Sequence, residues 1–310
     1  MTQEEKPSRK TAVWIDAMRP RTLPLAIASI VMGSALAAAW KPFSWPVAIL
    51  CVLTAVLLQI LSNLANDFGD SQHGADHGQR QGPMRAVQSG AVSSKRMLVA
   101  MAITALLSVI SGLALIWIAF GTNSREYFIL FILLGALAIV AAIAYTAGVR
   151  PYGYAGLGDL SVLVFFGWVG VMGSYFLQTQ RFDWAIMLPA TASGLLAVAV
   201  LNVNNIRDID SDRQAGKRTI PVRIGPQKAR EYHWFLLISA IAFAIVYVLL
   251  LFSSIWQFLF LLVLPQMIKN GLAVWRTYEP SKINPLLKQL SLVTLLFVLL
   301  FSLGQLLLGV

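Results

Sequence analysis

The sequence predicts an all-α, polytopic membrane protein of nine transmembrane helices, on three observations. Of 310 residues, 57% are hydrophobic and only 12% are charged, well outside the ordinary globular mix. Nine apolar runs each have about the length a helix needs to cross a hydrocarbon core roughly 30 Å thick. Of the 24 Lys and Arg, all but three collect on one side of those runs, as cytoplasmic retention of basic residues requires.

Residues 1–21 form a mostly polar leader, and the first span covers 22–39. Small residues at Ala35, Ala37 and Ala39 resemble a signal-peptidase site. The long polar leader and the length of the run instead favour a retained span. The second span, 46–65, holds the only cysteine, Cys51, which reads as a small packed side chain. The remaining spans are 97–120, 127–147, 157–177, 184–203, 232–252, 255–275 and 286–308, and the whole chain reads as a single domain.

With a cytoplasmic N-terminus, the outward connections hold only Lys41, Arg125 and Arg181. The other basic residues fall in the leader or on the side reached after spans two, four, six and eight, which leaves the C-terminus outside. The net charge of +10 therefore reflects topology and anionic membrane lipid, with no nucleic-acid partner.

Two polar clusters interrupt this pattern. "LSNLANDFGD", residues 61–70, closes span two. At 100° per residue Asn63, Asn66, Asp67 and Asp70 share an arc of about 100°. "LNVNNIRDIDSDRQAGKRT", residues 201–219, closes span six. There Asn204, Asn205, Asp208 and Asp212 share a similar arc of about 100°, whereas Asp210 points elsewhere. A helix end entering water often carries one acid. Like charges at this spacing repel, and a divalent cation with hard oxygen ligands, Mg²⁺, resolves the repulsion. One acidic helix end in each half suggests an internal pseudo-repeat. Arg80 and Arg85 follow the first cluster, and Lys217, Arg218 and Arg223 the second. Arg85 and Lys217 are the candidates for neutralising phosphate oxygens.

Other features point less sharply. His73 and His77 have a zinc-like spacing, but glycines break the segment and no third ligand accompanies them. "YTAGVRPYGYAGLGD", residues 145–159, carries Tyr145, Arg150, Tyr152, Tyr154 and Asp159. These residues either line an acceptor pocket or serve as interfacial aromatics and a helix cap. A cation-coupled transporter would also use acids and a repeat. Its site, however, belongs near the bilayer midplane, and both stripes here lie at helix ends.

"NDFGD…D" at Asn66–Asp76 and "RDIDSD" at Arg207–Asp212 resemble the two aspartate-rich motifs of the UbiA superfamily of intramembrane aromatic prenyltransferases. The resemblance covers nearly the whole chain. The fuller strings, with "RPYGYAGLGDLSVLVFFG", are most similar to the branch acting on 1,4-dihydroxy-2-naphthoate in menaquinone synthesis. Its other branches act on 4-hydroxybenzoate, homogentisate or heme. The resemblance implies a UbiA-like fold in a bacterial inner membrane. It also implies transfer of a polyprenyl group from polyprenyl diphosphate to an aromatic acid, with Mg²⁺. Carried over, Asn66, Asp70, Asp208 and Asp212 are the expected metal ligands, and Asp67, Asp70, Asp208 and Asp212 the catalytic acids. Asn63, Arg85, Tyr145, Arg150, Asp159 and Lys217 are the expected substrate contacts, and Arg150, the one cation of its glycine-rich segment, is the candidate to meet the acceptor's carboxylate. The family's last acid in the first motif falls here on Gly74, and Asp76 stands two residues late.

Overall fold

The computed structural model describes residues 9–39, 43–72, 85–121 and 124–307. Asp76, His73, His77 and Arg80 lie outside the described residues. Helices run α1 Arg9–Met18, α2 Leu23–Ala38, α3 Trp45–Gln72, α4 Ser94–Phe120 and α5 Arg125–Ala144. The fifth crossing is α6 Gly158–Val162, a π-helical stretch Leu163–Met172, and α7 Gly173–Thr179. Then come α8 Met187–Arg207, α9 Ile209–Gln214, α10 Ile220–Leu250, α11 Leu264–Arg276 and α12 Pro280–Leu306. Among the described residues nine helices are long and apolar enough to cross a membrane.

The nine predicted runs each coincide with one of these helices, and the boundaries move for local reasons. The leader is not a featureless tail: its second half is α1, whose Val13, Trp14 and Ala17 pack with Leu61, Leu64 and Met97 of α3 and α4. Helix α3 runs on past the apolar segment to Gln72, so the first acidic stripe stays helical. Helix α10 starts at Ile220, well before the apolar run, and is kinked where Gly225 adopts φ +83° ahead of Pro226. Proline cannot continue the hydrogen-bond ladder.

Helix α8 is the hub, packed against α10, α12, α2 and the π-helical stretch. Its core face is small, with Ala190, Ala192, Gly194, Ala197 and Ala199 all buried. Small residues let backbones approach closely where lipid gives no hydrophobic drive between helices. At the crossing of α8 with the π-helical stretch, a Cβ on Gly167 would stand 3.0 Å from the Cα of Gly194, so no side chain fits. In contrast, α5 buries none of its residues in the protein and packs mainly against α3 and α4, with Tyr127 and Phe131 against Phe176 of α7. These layers enclose a cavity of about 1030 Å³, with polar groups from α3, α8 and α9 at one end.

Candidate active site

Extension of α3 beyond its apolar run buries what it carries: Asn63, Asp67 and Asp70 are all inside, and Asp70 is 0% exposed. A buried carboxylate is costly unless paired and hydrogen-bonded, and Asp70 has three partners. Arg85 forms an ion pair with it, the Tyr154 hydroxyl donates to it, and Lys217 Nζ lies 3.3 Å from its oxygens.

Lys217 also joins the second stripe. Its Nζ is 3.3 Å from Asp212 Oδ1, and its backbone N–H donates to the Asp212 carbonyl at 2.9 Å. The ammonium further rests 4.8 Å from the centre of the Tyr154 ring. Burial, opposed by Lys217 and reinforced by Asp208 and Asp70, pushes the Asp212 carboxyl up to about 6. Asp208 is held by Arg207, which donates through Nε at 2.7 Å and Nη2 at 2.5 Å. Arg207 reaches Asn284 and Asn204 as well.

The second stripe is not one continuous helix. Chain direction breaks at Asp208 (φ −100°, ψ 11°), between α8 and α9. The Asp212 N–H still donates to the Asp208 carbonyl at 2.8 Å, which preserves the i, i+4 relation. Asp208 and Asp212 therefore both face the cavity, as do Asn66, Asp70, Asn204 and Asn205. Asp210 is exposed, paired only with Arg213 at 3.7 Å.

Several expected site residues have other tasks. Asp67 accepts the backbone N–H groups of Ala86 at 3.0 Å and Val87 at 3.1 Å. It fixes the turn that presents Arg85, and both its oxygens are so used. Asn63 donates to the Met18 carbonyl at 2.9 Å and to Thr22 Oγ1 at 3.1 Å, pinning the α1–α2 turn to α3. Asp159 lies off the cavity wall in the first turn of α6, where it accepts from Tyr232 at 3.0 Å. Arg150 is exposed in the loop between α5 and α6 and does not line the cavity. Tyr145 does line it, edge-on to Tyr152 with ring centroids 5.4 Å apart.

Sequence reasoning missed Arg19 and Arg207. Arg19 Nη2 donates to Asn66 Oδ1 at 2.9 Å from the opposite wall. Its signal was the left-handed turn before α2, invisible until α1 is recognised as a helix. Arg207 stands beside Asp208 in the chain, and the burial of span six to its last turn is the signal that would have identified it.

The donor set can be tested against a divalent cation. No three His, Cys, Asp or Glu side chains converge on one point among the described residues. Mg²⁺ does not require that, since it keeps several waters and takes one or two carboxylates plus phosphate oxygens. Asn66, Asp70, Asp208 and Asp212 offer hard oxygens at the polar end of one cavity. The donors fit. Much of the remaining wall is apolar and aromatic, including Leu58, Leu115, Phe131, Phe165, Trp168 and Phe176.

Residues 26–295 match the model of the UbiA prenyltransferase family. The chain is 48% identical over 300 residues to the 1,4-dihydroxy-2-naphthoate octaprenyltransferase of Escherichia coli, covering 97% of each chain. It is 36% identical to the enzyme of that name from Mycobacterium tuberculosis, covering 93% of this chain and 94% of the other. Among solved structures, a UbiA homolog from Aeropyrum pernix superposes with TM-score 0.68 at 18% identity, covering 91% of this chain and 96% of that one. A homolog from Archaeoglobus fulgidus bound to DMAPP and Mg²⁺ gives TM-score 0.63 at 16% identity, covering 95% and 99%.

Proposed function

This chain belongs to the UbiA prenyltransferase family, and we propose that it transfers a polyprenyl group from polyprenyl diphosphate to 1,4-dihydroxy-2-naphthoate. Carbon dioxide is lost, and the product is demethylmenaquinol for menaquinone synthesis. The observation that carries the reaction class is the meeting of two acidic stripes on Lys217 at the polar end of an otherwise apolar cavity. The names of the relatives that cover the full chain support the acceptor.

The chain's own groups account for the chemistry. Asn66, Asp70, Asp208 and Asp212 would hold Mg²⁺, which when bound neutralises charge on the leaving diphosphate. Arg85 and Lys217, now paired with Asp70, are placed to donate to phosphate oxygens. Ionisation at the allylic carbon leaves positive charge beside the faces of Tyr145, Tyr152 and Tyr154, each able to stabilise a cation by about 0.5–2 kcal/mol. The apolar walls bed the isoprenoid tail and exclude water that would quench the cation. The acceptor ring supplies the electron pair for the new bond to the prenyl carbon, and the carbon–oxygen pair leaves with the diphosphate. The pair from the broken carbon–carboxylate bond returns to the ring as neutral carbon dioxide departs. No proton has to be removed from the attacked carbon, so the step needs no general base there.

The asymmetry of basic residues supports an orientation in a bacterial inner membrane with the polar end of the cavity, the N-terminus and the acidic helix ends cytoplasmic and the C-terminus outside. Diphosphate substrates are made in the cytoplasm, and this orientation meets them. Membranes containing the protein, with radiolabelled polyprenyl diphosphate and Mg²⁺, test the proposal against a panel of aromatic acids. Labelled naphthoate should give prenylated product without its carboxyl carbon. Equal turnover of 4-hydroxybenzoate, or product that keeps the carboxyl group, would contradict the acceptor.

A further inference from the structure

We propose that Arg19, on the left-handed turn between α1 and α2, holds the carboxylate of the aromatic acceptor; the inference rests on the prenyltransferase reading above. Among the described residues, four cations line the cavity: Arg19, Arg21, Arg85 and Lys217. Arg85 and Lys217 pair directly with Asp70 on the diphosphate side, and Arg19 adds only a weaker, longer-range attraction to it. Arg19 faces them across Asn66, one helical turn before Asp70 on α3, which is about 6 Å along the axis.

That position suits the reaction. The attacked carbon must approach the prenyl carbon to about 3–3.5 Å. The carboxylate that leaves is one bond from the attacked carbon, so its holder must border the diphosphate site. Arg19 does so, with Nη2 2.9 Å from Asn66 Oδ1. A guanidinium presents a planar fork of donors matched to a carboxylate. As the carboxylate drains its charge into the ring and departs as neutral carbon dioxide, the attraction to Arg19 fades. Its role is therefore binding and selection of the acceptor, with the bond-breaking done elsewhere.

The backbone argues the same way. Arg19 has φ +51° and ψ +67°, a conformation that side chains other than glycine seldom adopt. The turn is fastened from several sides. Thr22 donates to the Arg19 carbonyl through its N–H at 2.9 Å and its hydroxyl at 3.0 Å. Asn63 holds the Met18 carbonyl and Thr22, Gln59 donates to Thr22 Oγ1 at 3.3 Å, and Ser291 of α12 holds the Arg21 carbonyl at 3.0 Å. Glycine would satisfy this turn at no steric cost. An arginine kept there points to work for its side chain.

The same strain supplies the test, because Arg19→Gly keeps the turn comfortable and removes only the guanidinium. The acid and its decarboxylated analogue, 1,4-dihydroxynaphthalene, are compared as acceptors at saturating prenyl diphosphate. In Arg19→Gly the KM for the acid should rise about tenfold or more, with the KM for prenyl diphosphate little changed. The preference for acid over analogue should collapse, and Arg19→Lys should restore part of it. Equal loss on both acceptors, or a rise confined to prenyl diphosphate, would overturn the assignment. So would loss of the preference in Arg150→Gln but not in Arg19→Gly. A wild type that ignores the naphthoate but prenylates another aromatic acid would defeat the proposed acceptor alone, and the comparison then runs on that acid and its decarboxylated form.

Discussion

Lys217 Nζ stands 3.3 Å from carboxylate oxygens of both Asp70 and Asp212, tying the end of α3 to α9 through a single ammonium. The two acids lie on opposite halves of the chain, and the lysine follows the second within the same turn of backbone. With Arg85 also on Asp70, the two buried carboxylates are matched by two cations at the polar end of the cavity. A divalent cation with a diphosphate can replace that arrangement with a better one.

Removing the bridge should separate binding from folding. Lys217→Met should lower kcat/KM for prenyl diphosphate by about a hundredfold, measured in membranes with the naphthoate held constant. Asp210→Asn, on the exposed outer face of α9, should change it less than about twofold.

Arg207 is 4% exposed and carries a bidentate pair with Asp208. Arg207→Met removes the bidentate partner of the buried Asp208 carboxylate, a loss of about 3–5 kcal/mol. The detergent-solubilised variant should lose several degrees of Tm. The double variant with Asp208→Asn should recover much of that loss while remaining inactive.

Asp212 sets an acid limit. Its carboxyl, pushed up to about 6 by burial, is ionised above that pH and neutral below it. A neutral carboxyl does not ligate a hard cation. The apparent Mg²⁺ affinity should therefore fall as pH drops through about 6, by roughly tenfold per unit for one linked proton. A titration of activity against Mg²⁺ at several pH values checks this. Asp212→Asn should remove the acid limb together with most of the activity.

Gly153 holds the Tyr145 ring in place by leaving room for it. A Cβ there would stand 2.6 Å from the Tyr145 carbonyl oxygen and 3.2 Å from its ring. Gly153→Ala should cost about 1–3 kcal/mol of stability. It should reduce turnover while the KM for prenyl diphosphate stays near its wild-type value.

The legible parts of this molecule were those set by periodicity and by the cost of charge in lipid. Nine apolar runs predicted nine crossings, and the wheel positions of Asn66, Asp70, Asp208 and Asp212 brought all four to one cavity. Long-range partners were not legible. The bond from Asn63 to the Met18 carbonyl depends on where α1 folds back, which no local pattern encodes. Asp67 reads as a member of the stripe, yet the turn at Ala86 and Val87 claims it. Arg150 was the one cation in a glycine-rich segment, but segment composition does not say which way a loop faces. The π-helical stretch Leu163–Met172 also escaped the pattern, because a wider helix has the same apolar content as an ordinary one.

The central claim is that the two acidic stripes form one diphosphate site. Binding of radiolabelled polyprenyl diphosphate to purified protein, with Mg²⁺ and without acceptor, tests it in Asp70→Asn, Asp212→Asn and the double variant. The account predicts that each single change weakens binding by about a hundredfold or more and that the double change adds little, as expected for groups acting as a unit. Wild-type affinity in either single variant, or fully additive losses in the double, would contradict it.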